Sequence, residues 1–423
     1  MNGALRVGYE GAAQLARALA AIAPSSRSKL VETFALRRDV VERFEQFNRD
    51  ASRQLLWLHA PSVGEGLQAR PVIDLARVRN PALQLAYTYF SPSARAFASS
   101  LSVDFQDALP FDQTADMRRA LKALAPTALV FSKLDIWPTL AREAKARGTR
   151  LGLISATMSR GSSRRSGLAS ALLRDAYAHL DRVGAVSAED ADRLIALGVP
   201  ASRVSITGDT RYDQVWARAH GTASANRPFA SLVSNRPTLV AGSTWPSDEA
   251  RLLPAWVKVR AALRHARLII APHETTAPHV QSIERWATSA GVNWTRLDDA
   301  TPDTDVIIVD RVGVLGDLYS LAHVAYVGGA FHAAGLHSVL EPAAFGVPVL
   351  FGPRYTESRD AVQLCDDDAA LSVPDENALA VALARWLNSS SERKAAGDAA
   401  AQVVHRGLGA AERSYALVRE LLG

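Results

Sequence analysis

What most constrains this chain is a recurring unit: a short apolar or β-branched run, a polar loop, then a stretch of helical periodicity. In the first half the runs are LLWLHA at 55–60, LQLAYTYF at 83–90, ALVF at 128–131, RLGLISA at 150–156, VGAVSA at 183–188 and VSITG at 204–208. Between them lie segments such as ADMRRALKALAP and EDADRLIALG, with Ala and Leu at helical spacing. Near-continuous apolar strands alternating with helices specify parallel sheets covered on both faces. A second series follows a seam of polar and small residues at 217–236: PTLVAGST, ARLIIAPH, VIIVDR, HVAYVGGA and VPVLFGP. A chain of 423 residues is long for one core, so two domains are expected. The expectation is an α/β protein with two Rossmann-like domains, 1–214 and 215–423, facing each other across a cleft. In such sheets ligands bind beyond the carboxyl ends of the strands. The C-terminal stretch reads as helical apart from an RGLG break, its last helix a candidate to pack back on the first domain.

Bulk properties narrow the function classes. The formal net charge is +5 and spread along the chain, without basic runs interleaved with aromatics, so a nucleic-acid partner is not expected. A single cysteine, Cys365, excludes a disulfide framework and a Cys-based zinc site. No apolar run reaches the roughly 18 residues a spanning helix needs. Residues 11–23, GAAQLARALAAIA, form a short helix candidate with Leu15, Leu19 and Ile22 on one face. That face could pack on the body of the protein or lie shallowly in a membrane surface. Arg6, Arg17, Arg27, Lys29, Arg37 and Arg38 give this end a basic character suited to anionic headgroups.

The polar residues fall where strands end. LHAPSVGEG at 58–66 runs from a strand into His59, Ser62, Gly64 and Glu65. Glu65 is expected near the first turn of the following helix, where backbone amides favour a carboxylate and a general base needs one. A capping Glu with Ser62 as the cap is the structural alternative. Gly64 leaves room for a substrate. In the second half, Gly242, Ser243 and Thr244 end a strand just before a helix, a ready anion site or simply a helix cap. Pro272 and His273 end the next strand, with Glu274 beyond. Gly328, Gly329 and Gly335 allow close backbone approach, and Glu341 could accept hydrogen bonds from ribose hydroxyls or cap its helix. No Walker A, GxGxxG, HExxH or GxSxG pattern is present. A phosphorylated, nucleotide-bearing ligand bound without a metal or other cofactor is the expected chemistry.

These segments together resemble one family. HAPSVGE at 59–65, DIWPTL at 135–140, GDTRYD at 208–213, GST at 242–244, DRVGVLGDLYSLAHVAYVGGAF at 310–331 and HSVLEPAAFGVPVLFGP at 337–353 are similar to the 3-deoxy-D-manno-octulosonic acid (Kdo) transferases. The resemblance implies a GT-B fold, with an N-terminal domain for a lipid A precursor and a C-terminal domain for CMP-Kdo. It implies inverting, metal-independent transfer by a peripheral enzyme at the cytoplasmic face of the inner membrane. Glu65 falls on the family's proposed base. Ser243, Thr244, Pro272, His273, Gly313, Gly316, Ser338 and Glu341 fall on the donor side, and Ser62, Gly64, Lys133 and Asp135 on the acceptor side.

The chain also departs from the family pattern. Where the family shows Glu-Thr-Glu before Ile-Trp-Pro, this chain has Lys133, Leu134 and Asp135. An Arg next to the Pro is replaced by His273. Ser155, Ala156 and Thr157 stand for Asn-Ala-Arg, although Ser159, Arg160 and Ser166 keep some of that pattern. The donor loop reads Leu336, His337, Ser338, Val339, Leu340, Glu341, Pro342 in place of Gly-His-Asn-Pro-Leu-Glu-Pro. A related glycosyltransferase with another donor or lipid acceptor, and a nucleotide-sugar epimerase of the same architecture, are the alternatives.

Overall fold

The computed structural model describes residues 3–22, 29–158, 167–221 and 228–423. Arg27, Ser159, Arg160 and Ser166 lie outside the described residues, as do the side chains of Arg6, Leu19, Ile22 and Lys29. The chain divides into two compact units, Met1–Gln214 with Leu408–Gly423, and Val215–Gly407.

The first unit carries a seven-stranded sheet of β1 (Leu55–His59), β2 (Gln84–Tyr89), β3 (Phe105–Ala108), β4 (Ala128–Ser132), β5 (Arg150–Ala156), β6 (Arg182–Ala185) and β7 (Val204–Ile206). Its order is β3-β2-β1-β4-β5-β6-β7, with every pairing parallel. Strand order therefore reverses between β1 and β4, and the loops leaving these two strands flank the switch point where ligands bind in such sheets.

The second unit repeats the design with β8 (Thr238–Thr244), β9 (Arg267–Pro272), β10 (Trp294–Arg296), β11 (Val306–Ile308), β12 (Val324–Val327), β13 (Val349–Phe351) and β14 (Ala370–Ser372). The order β10-β11-β9-β8-β12-β13-β14 puts its switch point between β8 and β12. Consecutive residues supply opposite faces. Leu239, Ala241, Leu268 and Ile270 enter one core, whereas Val240 and Ile269 enter another on the far side. Both faces are covered, so these strands read as unbroken apolar runs and not as alternating ones.

Three strands escaped the sequence reading: β3, β10 and β14. Each is three or four residues long and sits at a sheet edge. With one neighbour instead of two, an edge strand needs no continuous apolar run.

The division between the units falls between Gln214 and Val215, while parts of the seam expected at 217–236 are structured. Helix Arg211–His220 runs into it with Val215 and Ala219 buried, and Leu232 is buried in the second unit's core. At the far end, helix Ser390–Arg406 is followed by Gly409 at φ 87° and helix Ala410–Leu422. That last helix buries Tyr415, Leu417, Val418 and Leu421 in the core of the first unit, against helix Val63–Arg79 and strands β4 to β6. Asp213, from the GDTRYD segment, accepts from the backbone N–H groups of Gly409 and Ala411 at its start.

The N-terminal helix Gly3–Ile22 is held by polar contacts. Tyr9 donates to Asp112 at 2.8 Å and Arg17 pairs with Asp116 at 3.0 Å. Val7 and Leu15 remain 70% and 63% exposed. Among the described residues no helix is long and apolar enough to cross a membrane.

Candidate active site

Ser62 is the N-cap of helix Val63–Arg79, and Glu65 is the third residue of its first turn. Ser62 does not cap a backbone amide through its side chain; its hydroxyl donates to Glu65 Oε2 instead. The other carboxylate oxygen, Oε1, lies 3.3 Å from Lys133 Nζ, and Ser132 Oγ donates to the Glu65 carbonyl at 3.0 Å. The loops after β1 and β4 thus converge on one half-buried carboxylate at the switch point. Gly64 is exposed beside it, and Asp135 is partly exposed two residues beyond Lys133.

Lys133 holds this position from a left-handed backbone, φ 67°, a conformation that costs a side-chain-bearing residue free energy and is concentrated at functional sites. Ser155 near the end of β5 and Ser243 near the end of β8 share it, at 50° and 53°. Both coincide with shifts in strand register, which re-aim the chain as it leaves the sheet.

His59 supports this loop and is fully buried. Its Nε2 faces the Trp137 indole N–H at 2.9 Å and its Nδ1 faces Thr88 Oγ1 at 2.9 Å. An indole can only donate, so Nε2 accepts and Nδ1 carries the proton. Burial, aided by the Arg37 charge, holds its pKa down to about 3. A neutral ring that pins Trp137 of the DIWPTL segment is its role here. GDTRYD is likewise structural: Thr210 donates to the Gln68 carbonyl at 2.6 Å, tying the end of the sheet to the helix that carries Glu65.

In the second unit, Ser243 is half-buried, whereas Thr244 is fully buried and donates its hydroxyl to Glu249 at 2.8 Å. Glu249 also meets His279 Nε2 at 2.9 Å. At the helix start after β8, where the sequence leaves an anion site or a helix cap open, the Asp248 carboxylate caps the Trp245 N–H. Buried Asp248 accepts from Trp245 N (2.9 Å), Gly329 N (2.9 Å) and Tyr326 Oη (3.0 Å). A Cβ on Gly328 would collide with the Ser243 carbonyl, so the two strands at this switch point approach too closely for any side chain there.

Pro272 is buried and His273 exposed. Gly313 is open to solvent at φ 90°. Gly316 is buried, with the Arg218 guanidinium where a Cβ would stand. Arg218 reaches Asp317 at 3.6 Å and Glu341 at 3.9 Å. Burial pushes the Glu341 carboxyl above its ordinary value, opposed by Arg218 and reinforced by Asp317. Ser338 is exposed.

The structure thus groups Glu341 with Gly316 through Arg218, and His273 with Trp245, His332 and His337. It leaves Thr244 and Pro272 without an accessible polar group. Arg218, Trp245 and Asp248 were missed in the sequence. Arg218 sits inside the polar seam, and Trp245 and Asp248 follow the GST strand in a stretch that composition alone does not single out. Among the described residues no three His, Cys, Asp or Glu side chains converge as a metal-ligand set.

A family profile described as 3-deoxy-D-manno-octulosonic-acid transferase (kdotransferase) matches residues 38–214. The chain is 29% identical to the 3-deoxy-D-manno-octulosonic acid transferase of Bordetella pertussis over 389 residues, 87% of each chain. It is 26% identical to that of Aquifex aeolicus over 343 residues, 80% of this chain and 88% of that one. Among solved structures, UDP-GlcNAc 2-epimerase from Neisseria meningitidis, bound to UDP-GlcNAc, superposes with a TM-score of 0.64 at 13% identity, covering 87% of this chain and 99% of that one. A glycosyltransferase from Rickettsia africae gives a TM-score of 0.57 at 11% identity, covering 88% and 99%. These structural likenesses establish the fold, two Rossmann-like domains of the GT-B kind.

Proposed function

Because the chain belongs to the Kdo transferase family of lipopolysaccharide biosynthesis and is a glycosyltransferase, we propose that it moves Kdo from CMP-Kdo to a lipid A precursor with inversion, without a metal, and with Glu65 as general base. The observation that carries this reading is the Glu65 carboxylate at the switch point of the first sheet, fixed by Ser62 and Lys133. In the reaction the acceptor hydroxyl gives its proton to Glu65 as its oxygen bonds to the anomeric carbon of Kdo. The bond from that carbon to the donor phosphate breaks, its electron pair leaves with CMP, and the configuration inverts. A base must lie within hydrogen-bond reach of the proton it takes, and the exposed Gly64 beside Glu65 leaves that approach free of a side chain.

On the donor side, Glu341 with Arg218 is suited to the ribose hydroxyls, and Ser243, His273, Gly313 and Ser338 to the remainder of the nucleotide. The proposed location is peripheral, on the anionic cytoplasmic face of the inner membrane. The exposed Val7 and Leu15 on a helix that also carries Arg17 support it.

The experiment is CMP-Kdo turnover with and without a tetra-acylated lipid A precursor, with products read by mass spectrometry. Donor consumption that depends on the precursor, with Kdo added to it, is expected. Equal consumption with and without it contradicts transfer and favours hydrolysis or epimerisation of the donor.

A further inference from the structure

Four rings are layered at the carboxyl edge of the second sheet. Trp245 lies face to face with His332 (4.1 Å between centroids, 6° between planes) and with His273 (4.6 Å, 25°). His273 in turn stacks on His337 (4.4 Å, 26°). The imidazoles come from the loops after β9 and β12 and meet on the residue that opens helix Pro246–Ala262. This is the switch-point edge of the sheet, where open α/β sheets take their ligands.

Hydrogen bonding separates the three imidazoles. His337 Nε2 lies 3.1 Å from the Trp245 indole nitrogen; because an indole only donates, this ring stays neutral while the bond lasts. Burial pushes the His337 pKa down, with the nearby His273 and His332 adding to the effect and Asp248 opposing it. His332 Nδ1 accepts from Ala334 N at 3.1 Å, a bond that protonation at that atom would break.

His273 is different. Its backbone N–H is spent on the Thr244 carbonyl at 2.8 Å, but its ring is exposed and has no hydrogen-bond partner among the described residues. It stacks on both the indole of Trp245 and the neutral imidazole of His337, which are joined to each other by their 3.1 Å hydrogen bond, and such π faces favour a planar cation.

Glu274 follows it in the chain, His337 stacks on it and His332 shares Trp245 with it, both from the loop after β12, and Asp248 on the helix acts on the neighbouring His337 ring. Asp248 is already committed to its three donors. Neither Glu274 nor any other carboxylate forms an ion pair with the His273 ring among the described residues, and an incoming phosphate would supply a counter-ion.

We propose that His273 is a proton-linked phosphate ligand, which takes up a proton as the phosphate of the nucleotide binds and is held as an imidazolium stacked on the Trp245–His337 pair. The proposal rests on the CMP-sugar reading above and adds a pH dependence to it. Imidazole changes charge near neutrality, whereas a guanidinium in its place stays charged throughout. Nucleotide affinity therefore falls as pH rises, approaching about tenfold per pH unit where one whole proton is taken up.

The test is calorimetric titration of the full chain with CMP at pH 7.5, where its phosphate is almost fully dianionic, in two buffers of different ionisation enthalpy. Wild type takes up a substantial fraction of a proton per CMP bound. His273→Gln takes up close to none and binds about tenfold or more weakly, while His273→Arg recovers affinity without proton uptake. His332→Gln keeps the uptake, cytidine shows none in any variant, and near-UV circular dichroism verifies that each variant folds. CMP binding by wild type without proton uptake, or unchanged uptake in His273→Gln, overturns the proposal. No CMP binding by folded wild type at any pH is a different failure, because it removes the CMP-sugar reading and the proposal with it.

Discussion

Lys133 Nζ lies 3.3 Å from Glu65 Oε1, and the lysine reaches it from a left-handed backbone at φ 67°. The pair joins the two loops that flank the switch point of the first sheet. Lys133 is 44% exposed and Glu65 18%, so screening keeps the interaction within about 1 kcal/mol. In the proposed reaction Lys133 is a positioning residue. Lys133→Met should lower kcat by about fivefold or less with the donor KM unchanged, and Lys133→Arg should restore most of the loss. Steady-state kinetics decide this; an unchanged kcat in Lys133→Met removes the role.

His59 makes stability depend on pH. Its folded pKa, about 3, lies below the ordinary 6.5 because burial disfavours the charged ring. The unfolded chain therefore binds a proton that the folded one refuses, so the stability present above pH 6.5 is lost as pH falls from there toward 3. The loss approaches ~1.4 kcal/mol per pH unit. His59→Gln lacks this penalty. Urea unfolding should show the variant gaining on wild type by ~1 kcal/mol between pH 6.5 and 5.5. A constant gap would mean that His59 is not a buried neutral ring.

In the proposed donor site Glu341, 3.9 Å from Arg218, accepts hydrogen bonds from the ribose. Hydrogen bonds to a charged acceptor are worth ~1.5–3 kcal/mol, so Glu341→Ala should weaken CMP binding by about 10- to 100-fold. Binding of 2′-deoxy-CMP, which has one hydroxyl fewer, should suffer less. Equal losses for the two nucleotides would place Glu341 in a supporting role instead.

Val7 and Leu15 are large apolar side chains left exposed on helix Gly3–Ile22. Val7→Glu with Leu15→Glu should weaken sedimentation with anionic vesicles while leaving thermal stability within a few degrees of wild type. Undiminished vesicle binding would move the membrane contact elsewhere on the protein.

Much of the fold was legible because both sheets are buried on two faces. That burial turned β1, β2, β4, β5, β8 and β9 into apolar runs visible without any structure. The edge strands β3, β10 and β14 carried no such run, and the helix Arg211–His220 was hidden by polar residues on its exposed side. Within the candidate site, the position of Glu65 in the first helical turn was readable from LHAPSVGEG. Its partner Lys133, 68 residues away in the chain, was readable only as a departure from a family pattern, because the pairing depends on strand order. The same holds for Asp248, whose carboxylate joins the helix start to Gly329 and Tyr326 far along the chain, and for Arg218, whose partners come from two later segments.

The most direct test is Glu65→Gln, which keeps the shape of the side chain and removes its capacity to take a proton. General-base catalysis contributes about 10²- to 10⁴-fold. A loss of that size in kcat for Kdo transfer to the lipid A precursor is expected, with CMP affinity unchanged. Transfer at a rate within a few-fold of wild type would show that Glu65 is not the base.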